Sequence, residues 1–408
     1  MIMKPRTAVV VGGGIAGCST AHALAVRGIQ VKLFERHETI ASEASGNPQA
    51  MLYPRLSGDD VASQFALESY LYSLDFFNRL DLNSADFNQC GMLQLGFNPR
   101  ELERINKVSS QFYSSNILRY VTAVEASVLA GIDINNDALY FPNAAWINPQ
   151  RLCQRLIEHD NISLKTLTKI DKILINKDLF EIFSNEILLS TSDIVVIANA
   201  NDAQSLGVNL YTKTHAVRGQ VSIIDATEDS KKLKLIICSD GYLSPSVNQQ
   251  HCLGATFSSE CLNSEINEDD HLANLARLNS ISNHIYENLK SNVKGGRVSF
   301  RCTSSDYFPL VGELLDSYLL KSNPPRPNAR TADLPWIKGM YLNLAHGSRG
   351  FTSAPFCGEL LAQIICSEPY SMNPEIASLL NPNRFLLRKI GLKRLAKMTL
   401  NSKTINIS

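Results

Sequence analysis

Ala8-Val9-Val10-Val11-Gly12-Gly13-Gly14-Ile15-Ala16-Gly17 decides how this chain folds. Ala8 to Val11 is a short apolar run of the kind that makes a buried parallel strand. It leads straight into G-x-G-x-x-G at Gly12, Gly14 and Gly17. A helical pattern follows from Ile15 to Arg27, closed by Gly28, and a second apolar strand, Gln30 to Phe34, ends in Glu35. Strand, turn, helix, strand and acid in this order make a dinucleotide-binding unit. Gly12 permits the tight turn, Gly14 lets a pyrophosphate approach the backbone, and Gly17 lets helix and strand pack closely. Gly13, Ile15 and Ala16 complete the turn, where helix N–H groups and the positive dipole end attract phosphate. Glu35 can accept from a ribose hydroxyl, which favours a free ribose over a 2′-phosphate. Arg36 beside it weakens that inference, since a cofactor contact from its cation would suit a 2′-phosphate; the alternative is a solvated loop charge.

At 408 residues the chain is long enough for two domains. Its 39 Lys and Arg balance 39 Asp and Glu, so no global field draws nucleic acid, and any such contact needs a local patch. Nine Cys without C-x-x-C spacing or paired His argue against zinc and against a closed disulfide framework. No metal is expected. The N-terminus reads as a strand rather than a signal peptide, and no apolar run is long enough to span a bilayer. The reading is a cytoplasmic protein with reduced thiols and no membrane partner.

Glu43 to Pro54 is rich in turn formers and, so soon after a dinucleotide fold, is expected to lie along the cofactor through Ser45, Gly46, Asn47 and Gln49. Helices are expected over Val61 to Leu80, Pro99 to Phe112, Pro149 to about His159 and Glu268 to Leu289. Ile162 to Ala200 reads as short strands, the last ending in small residues at Ala198 that let backbone approach a ligand. A second strand-rich region covers His215 to Phe257, and another strand, Gly296 to Phe300, runs into Arg301. Met340 to Leu344 is a strand followed by the loop His346-Gly347-Ser348-Arg349-Gly350-Phe351 and a helix to about Cys366, with Ser353 as its cap. Arg384, Arg388, Lys389, Lys393, Arg394 and Lys397 punctuate an apolar tail.

The fingerprint, Ala44-Ser45-Gly46-Asn47-Pro48-Gln49, Arg218-Gly219-Gln220, Asn248 to Cys252, Arg301-Cys302, Gly347 to Gly350, Ser353-Ala354-Pro355 and Leu380 to Arg384 together resemble the D-amino-acid oxidase and glycine oxidase family of flavoproteins. Within it they are most similar to the oxidoreductase domains of bifunctional enzymes that modify the tRNA wobble uridine. The resemblance covers nearly the whole chain. It implies an α/β architecture, α+β overall: a Rossmann-like FAD-binding domain and a glycine-oxidase-like antiparallel-sheet substrate domain. The expected boundaries are 1–60, 145–215 and 336–380 for the FAD domain, 61–144 and 216–335 for the substrate domain, and 381–408 for a basic tail. In those enzymes a methyltransferase domain precedes this fold, whereas here the chain opens at the first strand. That reads as a free-standing oxidoreductase or as half of a longer protein, with a separate tRNA methyltransferase as a partner. An Arg expected just before Asp306 is Ser305 here.

The resemblance implies non-covalent FAD, tRNA bound through its anticodon region, and molecular oxygen as oxidant. It implies oxidation of the carboxymethylaminomethyl arm to aminomethyl-uridine with release of glyoxylate. Arg301 is the candidate for the substrate carboxylate, because a planar fork suits bidentate recognition; the alternative is a surface salt bridge. Arg349 is the second catalytic candidate, a cation beside a helix N-terminus facing the flavin pyrimidine edge; the alternative is loop capping. Gly347, Ser348, Gly350 and Phe351 would join it at the cofactor. His251 and His346 are as readily structural as functional, and Cys302 raises a covalent flavin link as an alternative. The basic tail reads as a phosphate-contacting element or as a solvated amphipathic helix. Two other functions stay open: an oxidase of free glycine, sarcosine or D-amino acids, and a flavin-containing tRNA-binding protein without oxidase activity.

Overall fold

The computed structural model describes residues 6–111, 113–207, 211, 214–259, 263–326, 328–369 and 372–398. Phe112 and the tail beyond 398 therefore lie outside the described residues. Backbone contacts divide the chain into two units, one of residues 1–45, 153–216 and 301–408, the other of 46–152 and 217–300.

The first unit is built on a six-stranded sheet. The apolar run becomes the strand Thr7–Val11, entirely buried from Ala8 onward, and it lies between Gln30–Phe34 and Ile194–Ile197 with both neighbours parallel. Ile162–Lys165 extends one edge, and Trp336–Leu344 and Leu310–Leu315 the other, the last pair antiparallel. A central strand buried on both sides explains why the sequence there is continuously Ala and Val rather than alternating. Helix Ile15–Ala25 packs against helix Gly350–Cys366 on this sheet, and the two cross closely where a Cβ at Gly358 would stand 3.1 Å from the Ser19 carbonyl carbon. Lys172–Asn176, Leu179–Ser184 and Ile187–Ser192 form a separate antiparallel sheet in this unit.

The second unit carries an eight-stranded, mostly antiparallel sheet and a small three-stranded one. Its core gathers Leu93, Leu95, Ile237, Leu253, Leu278 and Ile285 between sheet and helices. Arg218, almost fully buried, pairs with Asp270 and donates to the Asn263 and Glu265 carbonyls.

Several expectations are corrected. Residues 301–335, expected with the substrate domain, cluster with the first unit, because Leu310–Leu315 adds to the nucleotide-type sheet. Residues 46–60 and 145–152 fall in the second unit, where Ala50–Leu52 pairs with Ala145–Ile147 as a short strand instead of a loop. The helix expected over Glu268 to Leu289 is two, Glu268–Ile281 and Asn283–Leu289, because Ser282 turns to an extended conformation and caps the second through the Ile285 N–H. The tail is not a separate segment. Its first part packs into the first unit as two short helices, Arg384–Lys389 and Lys393–Met398. Gly391 at φ 84° breaks them apart: Gly391 N–H bonds the Arg388 carbonyl and Leu392 N–H the Leu387 carbonyl, a left-handed helix stop.

Candidate functional site

In the first unit the fingerprint is packed too tightly for side chains. Gly12 sits at φ 108°, and a Cβ there would be 2.7 Å from the Ala198 carbonyl oxygen. A Cβ on Gly17 would be 1.8 Å from the Gly12 carbonyl oxygen. The backbone bonds that impose this packing run from Gly12 N–H to Phe34 and from Ala198 N–H to Val11. Ser45 has a role the sequence reading missed: its hydroxyl accepts from the Ile15 N–H at 3.1 Å and stands against Gly14. The helix has no acidic residue in its first turn, and the Ala16 and Gly17 amides have no protein acceptor among the described residues.

Glu35 is buried at the end of its strand. One carboxylate oxygen accepts from Gly13 N–H and the other from His37 N–H, both at 2.8 Å. Each oxygen keeps a further lone pair for a hydroxyl donor. Arg36 is paired with Glu43 at 2.5 Å and with Asp202. With its charge held by two acids, Arg36 no longer argues for a 2′-phosphate. Asn199, next to Ala198, buries its side-chain oxygen without a protein donor.

The C-terminal loop lies against the fingerprint. Gly350 faces Ile15 so closely that a Cβ would be 3.1 Å from the Ile15 Cγ2. On its other side Gly347 N–H donates to the Cys302 carbonyl at 2.9 Å, and Thr303 bridges to His346. The loop thus joins the start of the fingerprint helix to the segment that carries Arg301. Ser348 and Arg349 are exposed, and Phe351 is buried in the first helical turn. The helix begins at Gly350, a turn before the expected Ser353 cap, with Arg349 at its N-cap and no acid in the first turn. A cation at a helix N-terminus opposes the dipole by about 0.3–1 kcal/mol, so this end favours an anion close by.

Ser353 turns inward instead. Its hydroxyl meets His346 Nδ1 at 2.8 Å, while His346 Nε2 meets Asn343 Oδ1 at 2.9 Å. Asn343 Nδ2 donates to Thr20 Oγ1, so its oxygen is the acceptor and His346 carries its proton on Nε2. Nδ1 then accepts from Ser353. Burial lowers the His346 pKa to about 3, so the ring is neutral near pH 7. His346 is a tie between strand, loop and fingerprint helix; the sequence signal for it was Asn343 three residues earlier at the end of a buried strand.

Arg301 lies near the end of strand Val293–Ser304, partly buried. Strand alternation puts Arg301 and Thr303 on one face and Cys302 on the other. Cys302 is 5% exposed, and burial pushes its thiol up to about 12. A thiol kept protonated is a poor nucleophile, which disfavours a covalent flavin link there.

In the second unit Asn47 and Gln49 are held by their own surroundings. Asn47 accepts from Arg297 at 3.0 Å. Gln49 is buried, accepting from Ser244 Oγ and donating to the Pro245 carbonyl at 3.3 Å. The Gln49 side chain is therefore an internal tie. Gly46 opens this unit directly after Ser45. Arg297, missed in the sequence, precedes Arg301 by four residues, so both side chains leave the strand on the same face. His251 is structural: buried, with Nδ1 on the Ser244 carbonyl and Nε2 on Ser230 Oγ.

Residues 7–364 match the model of the FAD dependent oxidoreductase family, DAO. The chain belongs to this family. FAD is its cofactor, and the first unit suits one: side-chain-free glycines at the turn, unpartnered helix amides, a buried acid and an orphaned Asn199 oxygen. Among curated relatives, the tRNA 5-methylaminomethyl-2-thiouridine biosynthesis bifunctional protein MnmC of Methylobacillus flagellatus is 41% identical over 97% of this chain and 61% of its own length. The protein of the same name from Pseudomonas putida is 36% identical over 95% of this chain and 60% of its own. The chain thus spans about three fifths of the length of these relatives. Among solved structures, glycine oxidase from Geobacillus kaustophilus superposes with a TM-score of 0.74 at 19% identity, over 90% of this chain and 96% of that one. L-proline dehydrogenase from P.horikoshii gives 0.73 at 18%, over 94% and 98%. At such identities the likeness is one of fold, and this DAO-family member shares its α/β architecture with both.

Proposed function

We propose that this DAO-family oxidoreductase oxidises the carboxymethylaminomethyl arm of a tRNA wobble uridine, releasing glyoxylate and leaving aminomethyl-uridine. The observation that carries the reading is the meeting of three segments in one unit: the fingerprint, the Arg349-capped helix and the Arg301 strand end. The name of the relatives supplies the substrate class.

Held by these residues, FAD would supply the hydride acceptor for the methylene between amine and carboxylate. The substrate leaves as an imine; water adds across C=N and the C–N bond breaks to give glyoxylate and the primary amine. Arg301 holds the carboxylate and so places the methylene. Gly12, Gly13, Gly14, Ile15, Ala16 and Gly17 hold the diphosphate and Glu35 a ribose. Ala198 and Ser45 line the cofactor, and Gly46 and Asn47 follow Ser45 directly in the chain. Gly347, Ser348, Gly350 and Phe351 shape the flavin end, where Arg349 and the helix dipole stabilise negative charge. Molecular oxygen is the terminal oxidant and becomes peroxide. The relatives' product name carries a methylamino group, so a methyl transfer to the new primary amine follows in this reading. The anticodon region of tRNA is the docking partner. No helix among the described residues is long and apolar enough to cross a membrane.

The test is incubation of the FAD-loaded protein with tRNA bearing carboxymethylaminomethyl-uridine. Glyoxylate and aminomethyl-uridine by nucleoside mass spectrometry are expected. Glyoxylate from free glycine but none from tRNA would move the activity to a small amino acid, and flavin with neither product would leave a tRNA-binding protein.

A further inference from the structure

The chain has no Asp or Glu after Glu375, while Arg384, Arg388, Lys389, Lys393, Arg394, Lys397 and Lys403 follow, in a protein whose formal net charge is zero. Between Asp316 and Asp333 the only charged residues are Lys321, Arg326 and Arg330. Packing brings these two segments together. Leu320, Leu334, Leu387, Leu392 and Leu395 form one buried cluster, against which Tyr211 packs. The stop at Gly391 lets both tail helices turn their leucines into this cluster, which leaves Lys389, Lys393, Arg394 and Lys397 exposed.

Not all tail cations share this fate. Arg384 is fully buried and bonded to Asp306, and Arg388 lies 3.9 Å from the same acid. Arg394 donates to the Ala329 carbonyl at 2.6 Å. Lys321 and Lys389 instead converge on a single ring: their Nζ atoms lie 4.7 and 5.3 Å from the Tyr211 centroid. Among the described residues none of Lys321, Lys389, Lys393 and Lys397 pairs with a carboxylate. The contrast is Lys290, which lies 5.6 Å from the Tyr286 ring centroid but is paired with Glu287 at 2.5 Å. Two ammonium groups on one ring repel each other, and with no acid between them the arrangement favours an external anion. Tyr318, 68% exposed, adds a second aromatic one helical turn from Lys321.

We propose that the exposed lysines of helices Ser317–Ser322, Arg384–Lys389 and Lys393–Met398, two of them over the Tyr211 ring, form a docking surface for RNA. The inference rests on the tRNA reading above and names the surface that reading needs. Cations interleaved with aromatic rings match phosphates alternating with stackable bases. An anionic protein would supply charge without a partner for the exposed Tyr318 face.

The test compares tRNA affinity at several salt concentrations for the FAD-loaded wild type and Lys321→Gln/Lys389→Gln/Lys393→Gln, with Lys290→Gln as a charge control. The triple variant should keep its flavin content and melting temperature. It should bind tRNA roughly tenfold or more weakly at low salt, with a log–log salt slope flatter by about 2–3 units, at roughly 0.7–0.9 per lost phosphate contact. KM for tRNA should rise with kcat unchanged, while the control behaves as wild type. Equal affinity and slope, with glyoxylate still released, would overturn the surface and leave the proposed reaction intact. Equal weakening in the control would reduce the effect to net charge and overturn the surface too. A wild type that neither binds nor oxidises tRNA would sink both. Loss of binding to phosphatidylserine vesicles with unchanged tRNA affinity would assign the patch to lipid and reject the proposal.

Discussion

Arg384 meets Asp306 through two hydrogen bonds, Nε to Oδ2 at 2.9 Å and Nη2 to Oδ1 at 2.6 Å, with the guanidinium fully enclosed. Its remaining donors go to the Pro309, Asn381 and Phe308 carbonyls. One side chain from the tail therefore fixes the turn that follows Arg301 and precedes the edge strand Leu310–Leu315. An arginine was expected at position 305; the guanidinium that reaches this turn comes from Arg384, and Ser305 meets His215 instead.

Arg384→Ala should destabilise the protein by about 3–5 kcal/mol, because it removes the cation paired with the half-buried Asp306 and a donor from each of three carbonyls. Lys389→Ala, on the exposed side of the same helix, should change stability by less than about 0.5 kcal/mol. Urea unfolding of both variants checks this. Similar values for the two would mean that the pair adds nothing.

Acid should act in two windows. Burial lowers the pKa of His346, so the unfolded chain binds a proton that the folded one refuses. Its share of stability is therefore full above about pH 6.5 and falls below it by up to about 1.4 kcal/mol per pH unit. Burial of Asp306 opposes its charge, but Arg384 outweighs this and holds the carboxyl below its ordinary value. That share is present above about pH 4 and is lost as pH falls through the depressed folded pKa. His346→Gln should make the first window shallower, with His251 and His22, also lowered by burial, still contributing to it, and leave the second. Denaturant midpoints between pH 3 and 8 separate them, and an unchanged upper window in His346→Gln would show that the histidine is not its source.

Gly17→Ala should give a protein that does not retain FAD. Its Cβ would fall 1.8 Å from the Gly12 carbonyl oxygen, and the helix cannot withdraw without opening the turn. Flavin absorbance after purification reads this directly. A yellow, stoichiometrically loaded variant would disprove the packing.

Arg301→Lys should keep FAD but lose about 2–4 kcal/mol of transition-state stabilisation, since a point charge replaces a two-pronged fork. The measure is kcat/KM on modified tRNA. Near-normal turnover would remove Arg301 from the substrate.

The nucleotide-type sheet was legible because its signals are local: apolar strands, a glycine turn and an acid at fixed spacing between Ala8 and Glu35. The apposition of the Gly347 loop with Cys302 was not, since backbone pairing between distant segments leaves no periodic trace. Arg36 and Gln49 look like cofactor contacts in the sequence because they flank the right motifs. Their protein partners, Asp202 and Ser244, are far along the chain and leave no trace beside those motifs. The tail misled differently. Six cations on an apolar background suggest one basic face, and only the buried Asp306 singles out Arg384 from the rest.

The contact between Gly350 and Ile15 also constrains when the cofactor can be captured. The fingerprint is made more than three hundred residues before the loop that closes over it. At about 5–20 residues per second, the nascent glycine turn waits on the order of tens of seconds for its other half. Loading with FAD thus waits for the second of these two segments, and a chain interrupted anywhere before helix Gly350–Cys366 would leave the ribosome colourless.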